Sequence, residues 1–520
     1  MPQRFATAAS PARPTAVWVC VGLVLAALGA LWSAAVPLMA SPDEPSHVVR
    51  AAAVARGQWS GELGEAATDA SRPGAGTLVQ LPSDYQTAVT LPNCIAFQPQ
   101  QSADCQPDVP PAEGTTSVET FAGQYPPLYY ALVGWPSLWL GAEAATYAMR
   151  LGAAALTAAL LTWGAWRLTR DFPGTVLWGA AVAVTPMALF LGATVNPQGL
   201  EVAAGFAFAA ACLSLTCSRS GVTTGALTQA AVTGAVLVNT RTVSPLWAVA
   251  ILAVALVAGE RGRLAAVVRH PASPWVAGGA GVAGAAAVGW LLTHPGVVTA
   301  SGLRPELTNP LRVAAGVLRQ WWAYLSNMIG DFGWLDTPGP PSTVLAWSVA
   351  GGALVLAAST ARGQRRRRGA LLLLVLGVAA APLALQLPTA SDTGLIWQGR
   401  YALPLAVMVP LLAAIVVSGA DADQAGTRRT ARVAVVVVGA GHGGAFLAAA
   451  HRYAVGADGG PLYHLEQADV VLSLDADFLV DGPMHLQNAR GFALRRKVDP
   501  ALGAASMNRL YVVETSPTLT

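Results

Sequence analysis

Charge is scarce in this chain. Of 520 residues only 11% are Asp, Glu, Lys or Arg, and 54% are hydrophobic; a soluble globular protein carries about 25% charged residues. That balance excludes a soluble enzyme built round one large core. It points to a chain that crosses a bilayer many times. Lysine is nearly missing: Lys497 is the single one among 31 basic residues, the rest being Arg. That is a bias of genome composition. The net charge of +3 says little, because the arginines cluster by side of the membrane. Histidine is rare too, and only His442 lies well inside an apolar run, which excludes a bis-histidine haem there. The five cysteines have no metal-ligand spacing. Cys20, Cys212 and Cys217 lie in apolar runs and read as small core residues. Cys94 and Cys105 share one polar loop and suit a disulfide if that loop faces an oxidising compartment. Charge is also missing from the middle of the apolar runs. Ion channels and secondary transporters place functional charges there, so transport is disfavoured. No soluble nucleotide-sugar-binding domain is visible, and no nucleic-acid partner is expected.

What the chain does have is a regular series of apolar runs. Residues 1–15 read as a cytoplasmic N-terminus. Arg4 and Arg13 precede a run of about twenty apolar residues, which reads as a retained first span (16–38) and not as a cleaved signal. A polar, Pro/Gly/Ser/Thr-rich stretch follows. Residues 126–141 carry Tyr129, Tyr130, Trp135 and Trp139 and read as an interfacial helix on the outer surface. Further spans are expected at 145–167, 175–195, 199–217, 224–240, 245–259, 274–293, 342–360, 369–387, 402–419 and 432–450. Residues 294–341 supply another interfacial helix and loop. With these choices the densest Arg clusters all fall on the cytoplasmic side. The expected architecture is an all-α polytopic membrane protein with about eleven transmembrane helices and interfacial external helices. Its membrane domain runs over 16–458, with an external loop at 39–144, the N-terminus inside and the C-terminus outside.

The polar features gather on the outer side. The densest stretch is Pro42-Asp43-Glu44-Pro45, with His47 and Arg50 on one face of a helix that would start at Pro45. Two readings of the acid pair are open. In one it supplies the acids preferred at a helix N-terminus; in the other it carries chemistry at the membrane edge, where charge is costly. For Asp43 the setting favours chemistry. The other outer-side groups are Gln124-Tyr125-Pro-Pro-Leu-Tyr129-Tyr130, Asn196-Pro-Gln198, Arg241 and Gln398-Gly-Arg400-Tyr401. Each has a plainer alternative: snorkelling for the arginines, an aromatic belt for the tyrosines, a surface hydrogen bond for His47, and turn satisfaction for Asn196 and Gln198.

These motifs, with Arg452-Tyr-Ala-Val-Gly456, resemble in order and spacing the domain-of-unknown-function 2142 family of predicted membrane proteins, over residues 16 to about 458. That family in turn is similar to the type C glycosyltransferases. The resemblance implies a transfer of sugar from a polyprenyl-phosphate donor to an envelope glycan or protein, on the outer face of a bacterial cytoplasmic membrane. It implies Asp43 as the base, with Glu44 assisting or helping to hold a divalent cation if one is used. Arg400, and after it Arg241 and Arg50, would stabilise the phosphate leaving group. His47, Tyr125, Tyr129, Asn196, Gln398 and Tyr401 would complete the substrate site. Gln198 stands where the superfamily often has an acid, and Glu201 is the nearest replacement. The alternatives are a non-enzymatic transporter, flippase or scaffold for envelope polysaccharide.

From 459 the chain changes character. Val470-Val-Leu-Ser-Leu474 reads as a buried strand, 482–496 as a helix and 507–520 as a second strand, an α/β-like fragment. It is similar to a piece of the molybdopterin oxidoreductase-like subunit of alternative complex three, which suggests a fusion or assembly join. A membrane role in a quinol-oxidising complex follows only from that tail. Without cysteine it offers no iron–sulfur ligands, and neither such a cluster nor molybdopterin is expected.

Overall fold

A computed structural model describes residues 15–63, 76–174, 176–294, 304–419 and 424–456, with short pieces at 465, 467–474, 485–496 and 509–513. The first helix, α1 (Thr15–Ala35), carries no charge. Pro37 follows its end and cannot continue the ladder. α2 (Glu44–Ala55) begins at Glu44 and has Pro45 in its first turn. Next come three antiparallel strands, β1 (Glu62–Leu63), β2 (Thr77–Pro82) and β3 (Thr115–Thr120), in the order β1-β2-β3 with Val79 opposite Val118. Between β2 and β3 lie α3 (Asp84–Ala88) and a loop closed by a Cys94–Cys105 disulfide, with Cα atoms 6.1 Å apart. α4 (Leu128–Val133) and a short turn, Trp135–Leu138, lead into α5 (Ala142–Asp171).

The 39–144 segment, expected as a polar loop with one interfacial helix, is thus a folded unit. Its apolar core holds Val48, Val79, Leu81, Tyr85 and Val118 and continues onto Met149 and Ala153 of α5. α4 is far too short to span, and Trp135 and Trp139, on the turn that follows it, are exposed, as suits an interface.

The remaining helices run back and forth. α6 (Val176–Ala183) and α7 (Pro186–Gly192) are two halves of one broken rod. Pro186 removes a donor from the ladder, and the Thr185 hydroxyl caps the second half by accepting the Ala188 N–H. α8 (Pro197–Cys217), α9 (Thr224–Val238), α10 (Ser244–Ala258), α11 (Arg263–Arg269) and α12 (Ser273–Thr293) follow. Then come α13 (Pro310–Arg319), α14 (Trp321–Ile329) and a two-stranded hairpin of β4 (Asp331–Phe332) and β5 (Thr337–Pro338). α15 (Pro341–Thr360) and α16 (Arg365–Gln386) are long; α17 (Ala390–Thr393), α18 (Leu403–Ala406) and α19 (Met408–Ser418) complete a broken descent into α20 (Gln424–Val455).

Among the described residues seven segments are long and apolar enough to cross a membrane: α1, α5, α8, α12, α15, α16 and Gly399–Ser418. The other four segments expected to cross fall on α9, α10, the broken α6–α7 rod and α20. Every residue of α8 is buried, so α8 is the axis on which the bundle packs. In lipid the hydrophobic effect does not draw helices together, and small residues that let backbones touch take its place. At Gly205 a Cβ would lie 2.6 Å from the Pro404 carbonyl oxygen.

The two ends of the bundle differ. At one, Arg263, Arg366 and Arg367 donate to carbonyls at the ends of α8 and α10, and Arg167 pairs with Asp171. At the other the folded 39–144 unit, the β4–β5 hairpin and the functional motifs collect. In the tail, β6 (Val470–Leu474) and β7 (Arg509–Val513) pair in parallel, with α21 (His485–Arg495) between them in sequence. The strand expected to be buried is not: Val470, Leu472 and Tyr511 are about half exposed or more. The two strands and one helix among the tail's described residues have too little surface to bury a core of their own.

Candidate functional site

The site is built on the turn that joins α1 to α2. Asp43 occupies the N-cap position of α2, yet its backbone is left-handed (φ 61°, ψ 6°) and its side chain makes no capping hydrogen bond. An N-cap residue normally has extended backbone and accepts from the N2 or N3 amide. Asp43 does neither, so the helix-cap reading of this residue fails. Its carboxylate is instead 58% exposed, with Oδ2 3.4 Å from Nη2 of the buried Arg400.

Glu44, the next residue, points the other way. It is fully buried, and Oε1 and Oε2 accept Nε and Nη2 of Arg150 at 2.8 and 2.6 Å. Oε1 also accepts the Val195 amide at 2.9 Å, and Oε2 the Ser41 amide at 3.4 Å. Arg150 in turn donates to the carbonyls of Ser33, Val36 and Pro37. The pair therefore ties together the end of α1, the start of α2, α5 and the α7–α8 turn. Glu44 is expected beside Asp43 as an assisting acid or cation ligand; in the structure both its oxygens are taken by Arg150 and two backbone amides. Among the described residues no three His, Cys, Asp or Glu side chains gather as a metal-ligand set.

Two other sequence motifs converge on the Asp43 turn. Asn196 caps α8 through its side-chain oxygen and donates Nδ2 to the Pro42 carbonyl at 3.0 Å. Gln198 grips Arg400 twice, donating to its carbonyl at 2.8 Å and accepting Nη1 at 3.1 Å. Gln398 accepts Arg400 Nε at 2.6 Å. The glycine between Gln398 and Arg400 is required by packing, since a Cβ at Gly399 would lie 1.8 Å from the Tyr324 carbonyl oxygen. Arg400 is thus fixed by two amides and has one nitrogen turned to the exposed carboxylate.

Arg241 lies close by. It pairs with the buried Glu201 at 3.2 Å, and Ser244 Oγ donates to the other Glu201 oxygen at 2.7 Å. Burial opposes the Arg241 charge, but Glu201 more than offsets it and holds the guanidinium protonated. Arg241 and Arg400 both lie 5.2 Å from the Tyr401 ring, and Arg241 is 5.9 Å from that of Tyr125. Two cations therefore face one aromatic wall.

His47 and Arg50 share a face of α2, as their spacing predicts. His47 Nδ1 is 2.9 Å from the Tyr130 hydroxyl. Burial pushes the imidazole down to about 3; Asp43 opposes the shift, and Arg241 and Arg400 add to it. His47 is therefore neutral at physiological pH. Arg50, also fully buried, donates to the Tyr125 carbonyl at 3.0 Å and, at 3.5 Å, to that of Gln58. It stands over Tyr130, and burial brings it down to about 10. Tyr129 is buried against Tyr130 and its hydroxyl approaches the Thr194 carbonyl at 3.5 Å, so it is part of the wall's foundation and not of its surface.

The last motif, at the end of α20, has another use. Arg452 donates to the carbonyls of Ile95, Gln98 and Gln101 inside the disulfide loop, and a Cβ at Gly456 would lie 2.1 Å from the Gln100 carbonyl oxygen. Cys94 and Cys105, the expected pair, close that loop.

A model of predicted membrane proteins, DUF2142, matches residues 26–409. The chain belongs to the DUF2142 family. Searches of curated proteins and of solved structures returned no match. The DUF2142 match covers the Asp43 turn, both amide clamps, Arg241 and Arg400, and stops short of the α20 motif and the tail. Arg150 and Tyr130 were not singled out from sequence as site residues. Arg150 stands just ahead of the apolar stretch of α5 with no local signal of its partner, whereas Tyr130 adjoins the predicted Tyr129 and differs from it only in what it faces.

Proposed function

We propose that this DUF2142 protein transfers a sugar from a polyprenyl-phosphate donor to a cell-envelope acceptor, on the outer face of a bacterial cytoplasmic membrane. One observation carries the reading: an exposed carboxylate, Asp43, stands beside a cation, Arg400, that is buried and clamped by two amides. A second buried cation, Arg241, faces the same tyrosine. The arginine-rich end of the bundle and the disulfide at the opposite end support the outward orientation of this site.

In the proposed reaction an acceptor hydroxyl oxygen forms the new bond to the anomeric carbon. The bond from that carbon to the phosphate oxygen breaks. Asp43 takes the hydroxyl proton, as a carboxylate within reach of the reacting oxygen can. The leaving phosphate takes the bonding electron pair, and Arg400 and Arg241 stabilise its charge. His47, held neutral, supplies a hydrogen-bonding edge without adding charge. Tyr125 and Tyr401 line the approach. Glu44 and Arg150 do not touch substrate; they hold the turn on which Asp43 stands.

The test is turnover of polyprenyl-phosphate sugars by the purified full chain in lipid, beside Asp43→Asn and Arg400→Lys. Transfer or donor hydrolysis that disappears in Asp43→Asn, with folding unchanged, supports the reading. Equal activity in Asp43→Asn removes it. Binding of the lipid phosphate through Arg400 without turnover of any donor would instead indicate a carrier or scaffold.

A further inference from the structure

Phe97 is 72% exposed and sits in left-handed backbone, φ 60°. Either feature is unfavourable for a phenylalanine, and together they are kept only by the surroundings. The Phe97 amide donates to Asp336 Oδ2 at 2.8 Å, and the other oxygen of Asp336 accepts the Trp334 amide at 3.1 Å. One carboxylate therefore sets two rings, which stand 6.1 Å apart at 59°. Trp334 Nε1 donates to the Met39 carbonyl at 3.3 Å, four residues before Asp43. Met39 and Leu335 are also left-handed. The disulfide and the three carbonyl bonds of Arg452 hold the loop from behind. The structure thus spends rigidity on presenting Phe97 to solvent, with the partly buried Trp334 beside it, close to the Asp43 turn.

We propose that Phe97 and Trp334 form a platform for a neutral saccharide, the acceptor chain of the transfer; this rests on the functional reading above. Aromatic faces pack on the apolar face of a pyranose ring, and the surrounding groups are amides suited to hydroxyls. Gln98, Gln100 and Gln101 are exposed beside Phe97. The chain has no Lys or Arg from Pro73 to Met149, while Asp104, Asp108 and Glu113 lie in the same loop region. Such a surface does not attract phosphate or anionic lipid.

The experiment uses the full chain in nanodiscs, with the Asp43→Asn variant alongside, on an array of neutral hexose and pentose oligosaccharides. Phe97→Gly is the decisive variant, because Gly accepts positive φ without strain and so removes the ring while keeping or raising thermal stability. The expected result is binding by wild type, Asp43→Asn and Phe97→Trp, and at least tenfold weaker binding by Phe97→Gly at an equal or higher melting temperature. No binding by wild type, or unchanged binding by Phe97→Gly, overturns the proposal. So does a fluorine label on the position-97 ring that is relaxed by a lipid-borne nitroxide and not by a soluble gadolinium chelate, which would make Phe97 a bilayer anchor. Saccharide binding through Phe97 without donor turnover leaves this platform standing and removes the transferase reading. Turnover whose acceptor KM is unmoved by Phe97→Gly does the reverse.

Discussion

Asp43 and Glu44 are adjacent acids, yet the structure gives them opposite consequences when neutralised. Glu44→Gln removes the negative half of a pair in which both side chains are fully buried. It leaves the Arg150 guanidinium charged in a dry site and sets an amide N–H₂ against the donors that Glu44 now accepts. Breaking a buried pair from one side costs roughly 3–5 kcal/mol. In a protein of this size that lowers the melting temperature in detergent by on the order of 3–5 °C. Asp43→Asn, at a half-exposed carboxylate with one contact of 3.4 Å, should stay within about 0.5 kcal/mol of wild type. Asp43→Gly should gain up to about 1 kcal/mol by removing the left-handed strain. The assay is thermal unfolding of the three variants beside Glu44→Gln/Arg150→Met, in which both charges are gone. That double variant should recover at least half of the loss, because an apolar replacement of a buried ion pair is often neutral. A Glu44→Gln protein as stable as wild type, or an unstable Asp43→Asn, would refute the assignment of the two acids to separate roles.

The other expectations are simpler to check. His47 has a folded pKa near 3 against 6.5 when unfolded, so its contribution is fully present above about pH 6.5 and is lost as pH falls toward 3; by pH 5 the loss is about 2 kcal/mol, and His47→Gln should flatten that acid limb of the stability profile. Removing the disulfide with Cys94→Ser/Cys105→Ser should free a short loop at a cost of up to about 3 kcal/mol, seen as faster hydrogen exchange over 94–105 while the spans keep their protection. Gly399→Ala drives a methyl into the Tyr324 backbone, and the forced shift of about 1–3 kcal/mol displaces Arg400. Lipid-phosphate binding should fall with it, whereas Gly352→Ala, which meets open space, should change nothing.

Much of this layout is legible in the amino-acid order. The expected spans coincide with helices to within a few residues at most ends, because long apolar runs and flanking arginines leave little choice. The convergence of Pro42-Asp43, Asn196-Pro-Gln198 and Gln398-Gly-Arg400 follows from putting all three at the same end of their helices. What sequence could not supply is facing. Glu44 turns inward and Asp43 outward because a single residue adopts positive φ, and nothing in Pro-Asp-Glu-Pro declares that sign. The partner of Glu44 lies 106 positions away, beyond any local pattern. The small sheet was hidden for a different reason. Its middle strand, Thr77-Leu-Val-Gln-Leu-Pro82, does alternate buried and exposed, but it is embedded in Pro/Gly/Ser-rich sequence that reads as loop. In the tail the apolar pattern of Val470 to Leu474 predicts burial, and the few neighbours available cannot provide it.

The buried arginines at this end of the bundle differ in one respect that bears on chemistry. Arg150 has a carboxylate gripped through two nitrogens and three carbonyls besides. Arg452 has three carbonyls within a closed loop and the Asp336 carboxylate at 3.9 Å. Arg150 has no free direction in which to meet a ligand, and Arg452 is turned into the loop it holds. Arg241 has one carboxylate, Glu201, and an aromatic wall. Arg400 is held on two sides by neutral amides, and its only carboxylate contact is long and open to solvent. Amide clamps fix the fork of a guanidinium without cancelling its charge. An arriving phosphate can therefore replace or share the contact with Asp43 and gain the full charge-assisted bond. In the transfer proposed above, the same substitution would loosen Asp43 from its cation at the point where it acts as base. Ligand binding and activation of the carboxylate would then be one event, which is the arrangement that Asp43→Asn and Arg400→Lys are chosen to separate.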